Sequence, residues 1–267
     1  ERMERVCAIA ETIGLQLGGP ELAARSLLSA RLAKTDLVTD MVGEFPELQG
    51  IMGGYYARHD GLSEDIAFAI EDHYKPRFAG DELPRTMTGV VVALADKLET
   101  LVGMFGIGNL PTGDKDPFAL RRHALGVIRM LAERDLPLDL PALIRAAVPA
   151  FGSLITDPTD ALADFVFDRL AGSLREQGAS AQEVDAVLAL RPQRLADVAQ
   201  RLAAVKAFAA LPAYEPRLGH ATDGVPQAGE LTQQHHPVHV LRAVLAVPGG
   251  RGGGGHGAVA LLPDAQG

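Results

Sequence analysis

From Glu1 to about Pro212, apolar residues return every three or four positions, the period of helices that bury one face. In "ERMERVCAIAETIGLQL" the stripe is Val6, Ile9, Ile13 and Leu17, and Gly-Gly-Pro stops it. "PELAARSLLSARLAKTDLVTDMVGEF" repeats the pattern with Pro20 in the first turn, where a missing N–H costs nothing. The spacing predicts a third helical segment in "FPELQGIMGGYYARHDG". A fourth follows in "EDIAFAIEDHYK", capped by Ser63 and helped by the early acids Glu64 and Asp65. "TGVVVALADKLETLVGMF" is apolar almost all round as far as Ala95, the mark of a central, buried helix.

Asp116 as N-cap and Pro117 in the first turn are expected to open "FALRRHALGVIRMLAERD". The proline-punctuated "LPLDLP" comes next and is the predicted domain boundary. "TDALADFVFDRLAGSLREQG" ends on Gly178 as a C′ residue, and Ser180 with Glu183 forms a capping box for "AQEVDAVLAL". "PQRLADVAQRLAAVKAFAAL" places Leu195, Val198, Leu202 and Val205 on one face. Past Pro212 the period is lost and Gly, Pro and His dominate, so residues 213–267 are expected to be a poorly ordered tail. The predicted fold class is all-α.

Composition narrows this picture. Of 267 residues 47% are hydrophobic, but only 5% are aromatic and none is tryptophan, so Leu, Val, Ile and Ala must build the core. That bias favours helices over a β-sandwich. A net charge of −9 excludes a general nucleic-acid coat while leaving room for a local basic patch. The single cysteine, Cys7, excludes an internal disulfide framework, fits a reducing cytoplasm and reads as a buried apolar residue. No apolar run reaches the roughly 18 residues that a membrane span needs.

"GNLPTGDKDPFALRR" has the two glycines of a phosphate loop, Gly108 and Gly113. Asp114 stands where that motif needs lysine, Asp116 replaces the metal-binding hydroxyl, and the segment before it reads as helix rather than strand. The stretch is therefore expected to be an ordered loop with a helix cap. Lys115, Arg121 and Arg122 then form a small basic cluster at a helix start, suited to RNA phosphates or to pairing with Asp114 and Asp116. Tyr55, Tyr56 and Tyr74 near Arg58, Lys75 and Arg77 suit stacking on unpaired bases, or a partly buried core with polar tips.

His59-Asp60, His73 and Asp96 suggest an HD-type metal phosphohydrolase, or else structural hydrogen bonds in a helical core. His220, His235, His236, His239 and His256 lie in the tail, without the ordered frame that a metal site needs.

Several stretches taken together resemble one family. "AKTDLVTDMVGEFPELQGIMGGYYA", "AFAIEDHYKPRFAGDELP", "VALADKLETLVGMFGIGNLPTGDKDPFALRR" and "LREQGASAQEVDAVLAL" are similar to the β subunit of the bacterial heterotetrameric glycyl-tRNA synthetase, almost continuously to about Leu211. The resemblance implies an interior piece of a larger subunit. It implies an HD-like helical domain over residues 1–140, then a helical segment over 141–212 leading into an anticodon-binding domain. It also implies a partner α subunit in an α2β2 tetramer, glycine tRNA as the RNA partner, and cytoplasmic location without a membrane.

The resemblance further implies that ATP and Mg are used by the whole enzyme, with adenylation on the α subunit, so no cofactor and no catalytic residue is expected in this chain. Thr35-Asp36 takes the place of the HD dyad, with threonine where histidine would stand, and His73 and Asp96 become relics. No metal is therefore expected. The candidate tRNA contacts are Lys115, Arg121, Arg122, Lys75 and Arg77. The tail departs from the family after "AAVKAFAALP", as a slip of reading frame would produce. The competing functions are a metal-dependent HD-type phosphohydrolase and a structural module that docks the α subunit without touching RNA.

Overall fold

The computed structural model describes residues 1–113 and 115–210. Asp114 and residues 211–267 lie outside the described set, and with them the expectations for pairing to Asp114 and for the tail. Among the described residues there is no strand, only isolated bridges at Thr112–Lys115 and Asp139–Arg194. The expected all-α class holds.

The chain opens with α1 (Arg2–Leu32), broken at Gly18 and Gly19, which take non-helical angles, Gly19 with φ +70°. In a straight helix Cys7 and Leu27 would lie about 30 Å apart at 1.5 Å per residue. Instead the Cys7 thiol sits 3.9 Å from the Leu27 carbonyl, so the two halves fold back as a hairpin. The expected stop at Gly-Gly-Pro is thus observed, and Cys7 is buried. Gly14 allows the halves to touch: a Cβ there would lie 2.8 Å from the Ala23 Cα. Gly14→Ala is expected to lower stability by about 1–3 kcal/mol through overpacking, read as a lower midpoint in urea.

The second predicted helix does not run unbroken to Phe45. It ends at Leu32 and is followed by a 3-10 turn (Thr35–Val38) and the short α2 (Asp40–Glu44). The cause is Asp36. Its buried carboxylate accepts the N–H groups of Gly50 (2.6 Å) and Gly53 (3.1 Å), drawing this turn onto the start of α3 (Ile51–His59). Gly53 is needed there, because a Cβ would meet Ile70 Cγ2 at 2.7 Å. Ser63 stands at the N-cap of α4 (Glu64–Asp72), but its hydroxyl makes no capping bond.

The predicted central helix is α5 (Met87–Gly106), capped by the Thr86 hydroxyl on Gly89 N–H (3.2 Å). It packs against α1, α4, α6 (Leu120–Glu133), α7 (Leu140–Ala147) and α8 (Thr159–Glu176). Val90 through Ala95 are all buried, which is why no polar face shows in that stretch. Around it lie Ile9 and Ile13 of α1, Leu120, Met130 and Leu131 of α6, and Leu140 and Leu143 of α7. Leu136 and Leu138 of the connector are buried as well. Gly178, with φ +90°, follows the end of α8, and the Ser180–Glu183 capping box opens α9 (Ala181–Leu188). The last element is α10 (Asp197–Ala209), in which Val198 and Val205 are buried and Leu202 is half-buried.

The start of α6 differs from the expectation. Its N-cap is Ala119, in the left-handed region at φ 53°, and Pro117 lies before the helix rather than in its first turn. Asp116 still does the capping, from further back: its two oxygens accept the N–H groups of Leu120 (2.7 Å) and Arg121 (3.0 Å).

Candidate nucleic-acid interface

A cleft of about 600 Å³ opens where the α4–α5 connector, the start of α3 and the start of α6 meet. The connector contributes Lys75 and Arg77, α5 contributes Lys97, and α6 contributes Arg122 and His123. Facing these cations are the carboxylates of Glu47 and Glu71. Glu71 is already committed to Arg85 at 2.9 Å.

The connector is held by acids behind it. Lys75 Nζ pairs with Asp72 Oδ1 (3.2 Å) and Glu82 (3.2 Å). Arg77 gives its backbone N–H (2.7 Å) and its Nε (3.2 Å) to Asp81. Asp72 itself is fully buried and accepts the backbone N–H, Nε and Nη2 of Arg85 at 2.8, 2.8 and 2.9 Å. Burial alone would push its carboxyl up, but the Arg85 and Lys75 bonds win and hold it below the usual carboxylate range. Arg122 is exposed and has no ion pair among the described residues. Burial, with the Lys97 cation behind it, pulls His123 down to about 4, so that imidazole is neutral near pH 7.

The five candidate cations separate. Lys75, Arg77 and Arg122 line the cleft. Lys115 and Arg121 do not. The backbone of Lys115 pairs with that of Thr112 in a tight turn, and the Arg121 guanidinium donates to the Gly113 carbonyl. The Asp116 carboxylate occupies the Leu120 and Arg121 N–H groups of α6, so those donors are not open to an outside anion. Gly108 and Gly113 have positive φ, and a helix rather than a strand precedes the loop, as expected for a turn that is not a phosphate loop.

The tyrosines divide too. Tyr55 and Tyr56 are exposed on α3, with the Arg58 guanidinium 5.9 Å from the Tyr55 ring. Tyr74 is half-buried against His73, with ring centroids 3.8 Å apart, and burial pushes its hydroxyl up to about 12.

Of the positions compared with an HD site, Thr35, His73 and Asp96 border a cavity of about 370 Å³ together with Lys34 and Arg2. Thr35 points out to solvent, its hydroxyl bonded to the Leu32 carbonyl (2.8 Å). His73 is buried. Its Nδ1 lies 2.6 Å from the Ile70 carbonyl, which can only accept, so Nδ1 carries the proton and Nε2 presents a lone pair. That lone pair accepts a hydrogen bond from the Lys34 ammonium at 2.9 Å. The same ammonium lies 3.3 Å from Asp96 Oδ1, and Arg2 adds a second cation at 3.4 Å. Burial first, then the Lys34 charge, pulls His73 down to about 3. An ammonium thus stands between the imidazole and the carboxylate. His59 and Asp60 are exposed at the end of α3, and no group of three metal-ligating side chains converges among the described residues.

Sequence reasoning passed over Lys97 and Lys34. The signal for Lys97 was present, a lysine inside the most apolar helix of the chain.

Fold and cleft define an all-helical module with the Lys34–His73–Asp96 cluster on one side of α5 and a cleft lined by Lys75, Arg77, Lys97 and Arg122. The family model for the glycyl-tRNA synthetase beta subunit matches residues 1–189, and the chain belongs to that family. It is 75% identical over 212 residues to the glycine–tRNA ligase beta subunit of Paracidovorax citrulli, covering 79% of this chain and 30% of that protein. It is 74% identical over 212 residues to the beta subunit of Polaromonas naphthalenivorans, again 79% and 30%. With the Delftia acidovorans beta subunit it shares 67% identity over 246 residues, 92% of this chain and 35% of that protein. The chain spans roughly a third of the length of these relatives.

Proposed function

We propose that this chain is a tRNA-holding helical segment of a glycyl-tRNA synthetase β subunit, in which the Lys75–Arg77–Arg122 cleft takes phosphates of glycine tRNA. Residues 1–140 serve as the HD-like domain, and 141–212 lead toward the anticodon-binding part. Adenylation, with its ATP and Mg, belongs to the α subunit of an α2β2 enzyme in the cytoplasm, and the β chain supports it by positioning the RNA. Among the described residues, no helix is long and apolar enough to cross a membrane.

The observation that carries this reading is the exposed Arg122, which is without an ion pair among the described residues, on a cleft it shares with Lys75, Arg77 and Lys97. The test is binding of the chain to glycine tRNA across a salt series, beside an Arg77→Gln/Arg122→Gln variant and a Lys115→Ala/Arg121→Ala variant. The first is expected to lower affinity and to reduce the slope of log affinity against log salt by about one unit per lost contact. The second is expected to leave the slope unchanged. Equal effects from the two variants would move the RNA elsewhere.

One observation favours docking of the α subunit as a second role. Leu37, Val38, Met41 and Phe45 are exposed along one short segment, Val38 at 89%. Val38→Asp with Phe45→Asp should then abolish co-purification with the α subunit while sparing RNA binding. The phosphohydrolase alternative is the weaker one, because the Lys34 ammonium takes the Nε2 lone pair that a metal would need.

A further inference from the structure

Lys97 stands apart from the other cations of the cleft. It is 3% exposed and comes from the middle of α5. Its ammonium donates to the backbone carbonyls of Lys75 (2.9 Å) and Tyr74 (3.3 Å). An ammonium has three N–H donors, so these bonds leave one for whatever fills the cleft that Lys97 lines. No carboxylate pairs with it among the described residues. The adjacent Asp96 is committed to Lys34 and Arg2. A buried cation without a counter-charge costs several kcal/mol unless it finds a partner or shifts its pKa.

The surroundings are shaped around this side chain. Gly126 of α6 faces its stem, and a Cβ there would lie 2.7 Å from Lys97 Cε and 3.0 Å from Cδ. Gly126 therefore leaves the passage through which the lysine reaches the cleft floor. At the mouth, Arg122 is exposed, and the Lys75 and Arg77 side chains stand on the connector whose carbonyls anchor Lys97. Glu71, the inner carboxylate of the lining, is tied to Arg85, so its charge is offset where it stands.

We infer that the cleft is a built phosphate pocket, in which the Lys97 ammonium on the floor and the Arg122 guanidinium at the mouth grip one phosphate group. The inference rests on the cleft's cationic lining and goes a step past the reading of that lining as an RNA surface, since it names a single seat for a single phosphate. A phosphodiester of RNA and a free phosphate-bearing molecule share this chemistry. Burial, with the Lys34 cation adding to it against the Asp96 and Asp81 carboxylates, draws the Lys97 ammonium down to about 8. A bound phosphate would favour the charged form and raise that value again.

The experiment titrates inorganic phosphate into the full chain at constant ionic strength, with chloride as the balancing anion, and follows the thermal midpoint. The midpoint is expected to rise with phosphate. In Lys97→Met, which keeps an apolar stem of similar length, the half-maximal phosphate concentration should increase about tenfold or more, the loss of one charge-assisted bond. Lys115→Ala should behave as the unaltered chain. A second variant covers the case in which Lys97→Met does not fold. Gly126→Ala pushes the lysine tip off the floor without removing its charge, and should weaken phosphate in the same direction. No rise with phosphate beyond that with chloride, or a rise that persists in both variants, overturns the pocket.

A competition arm separates the sources. Phosphate that displaces glycine tRNA supports the pocket with RNA as its source. Phosphate that binds through Lys97 without displacing tRNA also supports the pocket, with a free phosphate-bearing molecule as its source, and removes the RNA reading of this cleft.

Discussion

Asp72→Ala is expected to cost about 3–5 kcal/mol, the range for breaking a buried ion pair by removing one partner. Asp72 has no exposed surface, and its two oxygens receive the Arg85 backbone N–H, both ends of the Arg85 fork, and the Lys75 ammonium. Removing the carboxylate strands that backbone donor at the end of the α4–α5 connector. The guanidinium keeps Glu71 and the lysine keeps Glu82, which holds the cost to the lower part of the range. Asp72→Asn, which keeps shape and acceptor but not charge, should cost less. Urea unfolding at neutral pH reads both values. RNA binding should move the other way: Lys75, freed from one of its two acids, makes the cleft more positive, so affinity per folded molecule should hold or rise at low salt. A scaffold acid beside a binding cleft predicts that split between stability and affinity. A direct RNA contact would lose both together.

Most helices were legible because local signals and burial agree. Val90 through Ala95 form a run with no polar face, and in the helix carrying it every residue from Thr88 to Glu99 is buried. Ser180 and Glu183 sit three apart and close the capping box, and Gly178 is where a left-handed residue is needed. The errors fall where a side chain reaches across the chain. Nothing around "AKTDLVTD" marks a break, since the break is made by Asp36 taking N–H groups from Gly50 and Gly53. Asp116 was legible as a cap but not its reach, because the left-handed turn at Ala119 lets the carboxylate span to Leu120 and Arg121.

The cleft was legible as residue types and not as a place. Lys75, Arg77 and Arg122 were visible as cations, but composition cannot say that a connector and a helix start meet while Lys115 and Arg121 turn aside. Lys97 was hidden for a different reason. In a pattern reading, a lone lysine after an apolar run marks the edge of a buried face. Here it marks the floor of a cleft, and the clue to that lies far along the chain in Gly126. Lys34 was hidden in the same way, since its partners His73 and Asp96 come from the end of α4 and the middle of α5.

Lys34→Met is expected to cost about 2–4 kcal/mol near pH 8, and the cost should shrink as the pH falls. The variant leaves a buried imidazole lone pair without a donor and leaves Asp96 with Arg2 alone. In the unaltered chain His73 is held at about 3, first by burial and then by the Lys34 charge, against about 6.5 when unfolded. The unfolded chain therefore binds the extra proton first. The stability tied to neutral His73 is complete above about pH 6.5 and is lost on acidification toward 3, at up to about 1.4 kcal/mol per pH unit. His123, lowered to about 4 chiefly by burial, adds a loss of the same sign in both proteins. Without Lys34 the repulsion is gone, the His73 value rises, and the acid loss becomes shallower. A protonated His73 also supplies Asp96 with the positive charge that Lys34 gave. Urea midpoints at pH 8, 6 and 5 should therefore converge between the two proteins as the pH drops. A constant gap would mean that Lys34 acts through its packing, and that the ammonium between His73 and Asp96 carries no electrostatic share of the fold.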